Sequence, residues 1–345
     1  MQVVEKASPQ EEPALGDRKA EHIRLALSDQ MQLGANFFDR LRFRHCALPE
    51  VDFAEIDLSS EFLGKPMQAP LLISCMTGGT DRAALINRNL ATAAERTGVA
   101  FGVGSQRKAL EDPEAEASFE VRSAAPNAPL LANLGAVQLN YGCGPEECRR
   151  VVEMIDADAL VFHLNPLQEA IQPEGQTNFA GLLAKMAKVV EALDVPVIAK
   201  EIGCGITVEV AESLARIGIR IIDTAGLGGT SWARIEARRA LDPDIGDLFA
   251  DWGIPTPDSI RELAGVPGVS VIGSGGIRNG IDVAKAIALG SDVVGMAYPF
   301  LEAATRSAEA VEATIVRTVR EFKICMLCLG AHDLSELRAV ELLEG

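Results

Sequence analysis

Eight short runs of Val, Ile and Leu, separated by longer Ala-, Glu- and Arg-bearing stretches of helical periodicity, constrain this chain more than any other feature. They fall at residues 70–74, 99–103, 130–133, 159–163, 196–200, 220–223, 269–273 and 292–295. Each has a continuous apolar stretch with polar residues only at or near its ends, so each reads as a strand covered on both faces rather than one with a wet side. Alternation with helices predicts βαβ units, and eight of them predict a closed α/β fold, the TIM (β/α)8 barrel, ahead of an open sheet. Residues 61–345 are assigned to that barrel. Residues 1–60 are assigned to an N-terminal extension, a helix plus irregular structure packing over or beside it.

The residues just past the strand ends are rich in glycine, polar and ionisable types. In such a barrel all eight C-terminal strand ends meet at one mouth, so sequence-distant clusters become one site. Turn chemistry accounts for the glycines. It does not account for Arg107, His163, Gln168, Glu169 and Lys200 all falling on that side. The stretch 231–257 is too long for an ordinary βα connection and is a candidate lid or substrate wall.

A formal net charge of −17 disfavours nucleic acid or an anionic membrane as the main partner, since both require a basic footprint. Any phosphate site must be local. No apolar run approaches the roughly 18 residues of a membrane helix, and the acidic first residues do not resemble a signal peptide, so a cytoplasmic protein is expected. Seven scattered cysteines suit buried thiols in a reducing compartment. Cys325 and Cys328 have CxxC spacing, but no second pair completes a zinc site.

The run 271–280, VIGSGGIRNG, ends the seventh strand and opens a helix expected over 281–289. A glycine-rich turn feeding a helix N-terminus presents backbone N–H groups to an anion, and barrels often bind phosphate after strands seven and eight. A second glycine cluster, 225–230, can bring backbone and the Thr230 hydroxyl close to a ligand. Lys200 would put a point charge inside the mouth, where it should face a negative ligand. A salt bridge to Glu201 is the alternative, but neighbours on a strand point to opposite faces.

The chain resembles the type 2 isopentenyl-diphosphate isomerases, FMN-dependent barrel enzymes of isoprenoid synthesis. The resemblance rests on RKAEHI (18–23), SCMTGG (74–79), GVGSQR (102–107), ANLGAVQLNYG (132–142), HLNPLQEAIQPEG (163–175), KEIGCGI (200–206), DTAGLGGTSWARIE (223–236) and GSGGIRNG (273–280). Cys75 stands where that family is expected to carry Ser, and Tyr298 where a charged or small residue is usual. The resemblance implies FMN contacts at Met76, Thr77, Gly78, Ser105, Asn133, Lys200, Thr230, Gly276, Ile277, Arg278 and Ala297. It implies substrate contacts at Arg18, Lys19, His22, Ser105, Gln106, Arg107 and Gln168, catalytic roles for His163, Asn165 and Gln168, and Mg²⁺ on Glu169. It further implies NADPH as reductant of the flavin and a homo-oligomer, tetramer or octamer.

The implied reaction interconverts isopentenyl and dimethylallyl diphosphate by adding a proton at one carbon and removing one from another. The alkene is unactivated, and an imidazolium with a pKa of about 6.5 is a weak proton donor to carbon, so histidine alone does not suffice. Reduced flavin can stabilise the developing positive charge and carry protons at its ring nitrogens. Mg²⁺ on one carboxylate and substrate phosphate oxygens is ordinary Mg²⁺ chemistry. Arg18 and His22, four residues apart, share a helix face. A flavin 2-hydroxy-acid oxidase would require a histidine base close before a late arginine, which is missing. An inosinate-type dehydrogenase would require a cysteine after the phosphate loop, and Cys75 and Cys204 lie elsewhere. A catalytically silent flavin-binding regulator is a third reading.

Overall fold

A computed structural model describes residues 15–33, 36–240 and 242–345. Eight parallel strands close into a barrel: β1 (Leu71–Ile73), β2 (Ala100–Gly102), β3 (Leu130–Gly135), β4 (Ala159–His163), β5 (Val197–Lys200), β6 (Ile221–Asp223), β7 (Ser270–Ser274) and β8 (Val293–Met296). All eight sequence-predicted runs are barrel strands, shifted by one or two residues at most ends. Closure is direct, with Val294 opposite Leu71 where β8 meets β1. The runs are largely apolar because both faces are covered, the outer by helices and the inner by a cluster that includes Leu72, Leu131, Val161, Ile198, Ile272 and Val293.

The hairpin Ser60–Phe62 and Lys65–Met67 contributes Phe62 and Met67 to that inner cluster, which closes the barrel end opposite the site. The boundary expected at residue 60 therefore falls inside a hairpin that serves the barrel. Ahead of it, the helix Leu15–Ala26 lies against the mouth, and Leu41–Phe43 pairs antiparallel with Leu342–Glu344. That pairing of two sequence-distant segments has no short-range sequence signal.

The helices begin where capping side chains permit. Thr80 accepts from Ala83 N at 3.2 Å to open Asp81–Thr97, and Gly98 ends it at φ 65°. Asn279 accepts from Ile281 N and Asp282 N, both at 3.0 Å, and so opens Gly280–Ala288. The long segment after β6 is not a loose lid. It folds into helices Trp232–Arg239 and Pro243–Leu248, and Trp232 of the first lines the mouth. Cys325 and Cys328 lie in the helix Ala308–Leu329. No helix among the described residues is long and apolar enough to cross a membrane.

Candidate active site

One cavity of about 370 Å³ opens at the C-terminal ends of the strands. It gathers residues from all sectors of the mouth: Met76 and Thr77 after β1, Ser105 and Arg107 after β2, Asn133 on β3, and His163, Asn165, Gln168 and Glu169 at the end of β4. Lys200, Thr230, Gly276, Ile277, Arg278 and Ala297 complete it from the remaining strands, and Lys19 and His22 reach it from the helix Leu15–Ala26. The side chain of Arg18 lies outside the described residues.

Two of the expected contacts are not brought to this cavity. Gln106 is fully buried, its Nε2 donating to Val151 O at 2.8 Å and its Oε1 accepting from Asn133 N at 3.0 Å. It is a strut that fixes the backbone of Asn133 and lies outside the cavity lining. Gly78 does not line the cavity either; a Cβ there would fall 1.9 Å from the Phe119 ring, so its glycine makes room for packing.

The glycine turn expected to bind phosphate has the backbone geometry its composition implies. Gly275 and Gly276 sit at φ 111° and 72°, and a Cβ on Gly275 would come within 2.2 Å of Gly226 O. Only glycine allows the two glycine clusters to pack this closely. The Arg278 guanidinium is held by Asp39 at 2.9 Å and Asp282 at 3.3 Å. The Thr230 hydroxyl accepts from Gln32 Nε2 at 2.9 Å.

At the other side, Lys19 Nζ donates to Ser105 O at 2.7 Å and lies 5.4 Å from the centre of the Phe119 ring. Arg107 donates to Glu111 Oε1 at 2.6 Å and to Gln176 Oε1 at 3.2 Å. Glu169 is buried, and its carboxylate accepts from Asn165 Nδ2 at 3.0 Å and from Gln176 N at 2.6 Å. Asn165 Oδ1, beside it, is buried without a hydrogen-bond partner.

His163 Nδ1 lies 2.9 Å from Asn133 Oδ1. With that oxygen as acceptor, Nδ1 carries the proton and Nε2 has a free lone pair. Burial, aided by the charges of Lys200 and Lys19, pushes the imidazole down to about 3. The surroundings of the His163 ring in this structure therefore favour its neutral form at physiological pH. Lys200 lines the cavity and does not pair with the Glu201 carboxylate; its carboxylate partner is Asp223, 3.7 Å away, while Nζ donates to the backbone oxygen of Glu201 at 2.8 Å. The Glu201 carboxylate instead accepts N–H groups from Ile202 and Gly203, each at 2.6 Å, and from Cys204.

Several site residues carried no assignment from sequence. Ser74, Gln138, Gln172 and Trp232 line the cavity. Behind the wall, fully buried Glu236 accepts from Gln168 Nε2 at 2.6 Å and Arg239 Nη1 at 2.7 Å. His22 Nε2 approaches the same carboxylate to 3.0 Å, too far off line for a hydrogen bond but within ion-pair range. A signal existed for Glu236, because it closes the quoted 223–236 motif, but residue type alone could not place it under Gln168.

The family model for FMN-dependent dehydrogenases matches residues 163–343. An isopentenyl-diphosphate delta-isomerase of a Synechococcus species is 49% identical over 336 residues, which cover 95% of this chain and 96% of the relative. The protein of the same name from Paracoccus zeaxanthinifaciens is 50% identical over 331 residues, covering 93% and 95%. This chain belongs to the isopentenyl-diphosphate delta-isomerases. Within that family it is built on the FMN-dependent dehydrogenase barrel. Solved structures of the wider fold include a flavocytochrome b2 variant, with TM-score 0.68 and 18% identity, covering 94% of this chain and 82% of that one. A mandelate oxidase variant aligns with TM-score 0.62 at 18% identity, covering 94% and 92%. At such identities these two speak for the fold alone.

Proposed function

We propose that this isomerase interconverts isopentenyl and dimethylallyl diphosphate with reduced FMN and Mg²⁺, and that NADPH serves only to reduce the flavin. The observation that carries the reading is one cavity with two anion-directed ends. The glycine turn 275–278 and the helix after it form one end; Lys19 and Arg107 form the other. A phosphorylated cofactor and a phosphorylated substrate need such a pair.

The residues present fit both groups. For the flavin, a buried Ser74 Oγ without a partner lines the cavity together with Lys200, and the phosphate loop supplies backbone donors. For Mg²⁺, Glu169 and the unpartnered Asn165 Oδ1 are hard oxygen donors side by side. Among the described residues no group of three or more His, Cys, Asp or Glu could hold a metal, so substrate phosphate and water must complete the coordination.

Bound reduced FMN supplies an electron-rich face and protonatable nitrogens for an alkene that acquires positive charge. The chain's own residues hold the substrate against that chemistry. Lys19 and Arg107 neutralise the diphosphate. His163, neutral with a free Nε2 lone pair, accepts a hydrogen bond rather than donating a proton. Gln168 is fixed by Glu236, which leaves its amide oxygen facing Asn165 Nδ2 at 3.0 Å. Trp232 and Met76 add apolar wall, which limits water near a cationic centre.

Seven thiols, none in a disulfide, suit the reducing compartment that the composition suggests. The reading is tested by anaerobic incubation of the purified protein with FMN, Mg²⁺, dithionite and isopentenyl diphosphate. Formation of dimethylallyl diphosphate is the expected result. Its absence, with flavin bound, would leave a flavin-binding protein without this activity.

A further inference from the structure

The polar layer beneath the cavity contains a charged group to which neither the phosphate loop nor the substrate end gives a role. Asp223, the last residue of β6, is 2% exposed and does not line the cavity. Parallel pairing of β5 with β6 sets it directly beside Lys200, with Oδ2 3.7 Å from Nζ. Its other oxygen accepts from the Ser274 hydroxyl and from Ala225 N, the latter at 3.2 Å. Lys200 and Ser274 both line the cavity, so Asp223 stands behind the two of them. Three adjacent strands are needed to build this arrangement, and a buried carboxylate is costly to keep unless it answers a charge.

We propose that Asp223 is a positioning residue of the flavin site. It holds the Lys200 ammonium at the cavity wall and partly cancels its charge, and so sets how strongly the site favours reduced over oxidised flavin. The inference rests on the FMN reading above. Hydride transfer from NADPH to oxidised FMN gives NADP⁺ and a reduced flavin one negative charge richer. A lysine beside that ring favours the added charge, and a carboxylate behind the lysine opposes it.

Asparagine at 223 is nearly the same size, keeps one acceptor oxygen for the Ser274 hydroxyl and Ala225 N, and removes the negative charge that faces Lys200. In an anaerobic titration of the holoenzyme against reference dyes, Asp223→Asn should favour reduced flavin about tenfold more than the parent does. For a two-electron couple this is a rise of about 30 mV in midpoint potential. Asp223→Glu should restore most of the difference. Lys200→Met, with Asp223 intact, should move the potential the other way, and it keeps the proposal testable if Asp223→Asn fails to fold. A packing role alone would change flavin affinity without these opposed shifts. An unchanged or lowered potential in flavin-bound Asp223→Asn overturns the inference, as does an unchanged potential in flavin-bound Lys200→Met. A parent chain that takes up no flavin overturns the FMN reading itself, and the inference with it.

Discussion

Gln168 donates its amide proton to Glu236 at 2.6 Å, which ties the short helix after β4 to the first helix of the long connection after β6. This one bond joins two elements that are 68 residues apart in the chain. It orients an amide at the cavity wall by means of a carboxylate with no solvent exposure. Burial pushes the Glu236 carboxyl up, but His22, Gln168 and Arg239 outweigh it and hold it below the usual carboxylate range. The group is thus ionised throughout the physiological range.

Glu236→Gln should therefore destabilise the fold and lower turnover together. Removing one partner of a buried ion pair costs about 3–5 kcal/mol. The depressed carboxyl contributes its stability above its unfolded pKa and loses it as pH falls through the lower folded value. Acid unfolding of the variant should accordingly be less steep at the acid end. Denaturant titrations at pH 7 and at pH 4 check both statements; equal losses at the two pH values would contradict them.

His163 predicts a slope of its own. Its folded pKa, about 3, lies below the unfolded value near 6.5. The unfolded chain therefore binds the extra proton between these limits. Stability attributable to His163 is complete above the unfolded pKa and is lost as pH falls from about 6.5 toward 3, at up to about 1.4 kcal/mol per pH unit. His163→Gln should reduce the pH dependence of stability in that window by about one proton. A variant with the parent's slope would show that His163 is not held neutral.

Lys19→Ala and Arg107→Ala should weaken substrate binding much more than FMN binding, because both charges line the end of the cavity proposed for the diphosphate. Charge-assisted hydrogen bonds are worth about 1.5–3 kcal/mol, or roughly ten- to a hundredfold in affinity. Binding of isopentenyl diphosphate by calorimetry, compared with flavin retention by absorbance, separates the two effects. Unchanged substrate affinity in both variants would refute the assignment.

Glu169→Gln should keep its flavin and lose its Mg²⁺ dependence along with most activity, since an amide removes the anionic oxygen that Mg²⁺ prefers. Asn165 Nδ2 and Gln176 N donate to different oxygens of Glu169, so a glutamine keeps one of these two bonds and the loop keeps that tie. An activity that still titrates normally with Mg²⁺ would sink the claim.

The strands were legible because burial on both faces writes itself as short, largely apolar runs, and the phosphate loop because positive φ values demand glycine. Pairing between strands is not written that way. Lys200 and Asp223 are neighbours only through the register of β5 against β6, so a lysine that reads as facing a ligand proves to have a carboxylate behind it. Gln106 shows the reverse. Its place beside Ser105 and Arg107 suggests the mouth, but its side chain turns inward to Val151 and Asn133. Glu236 and His22 meet only when a helix near the N-terminus packs on the mouth, a contact that no local pattern announces.

The central claim is that a redox cofactor serves a reaction without net redox change. The most direct test is an anaerobic assay with enzyme, FMN, Mg²⁺ and isopentenyl diphosphate, counting dimethylallyl diphosphate formed against NADPH consumed. Many products per NADPH are predicted, because the flavin is reduced once and stays reduced. A ratio near one, or full activity from oxidised enzyme without any reductant, would contradict the account.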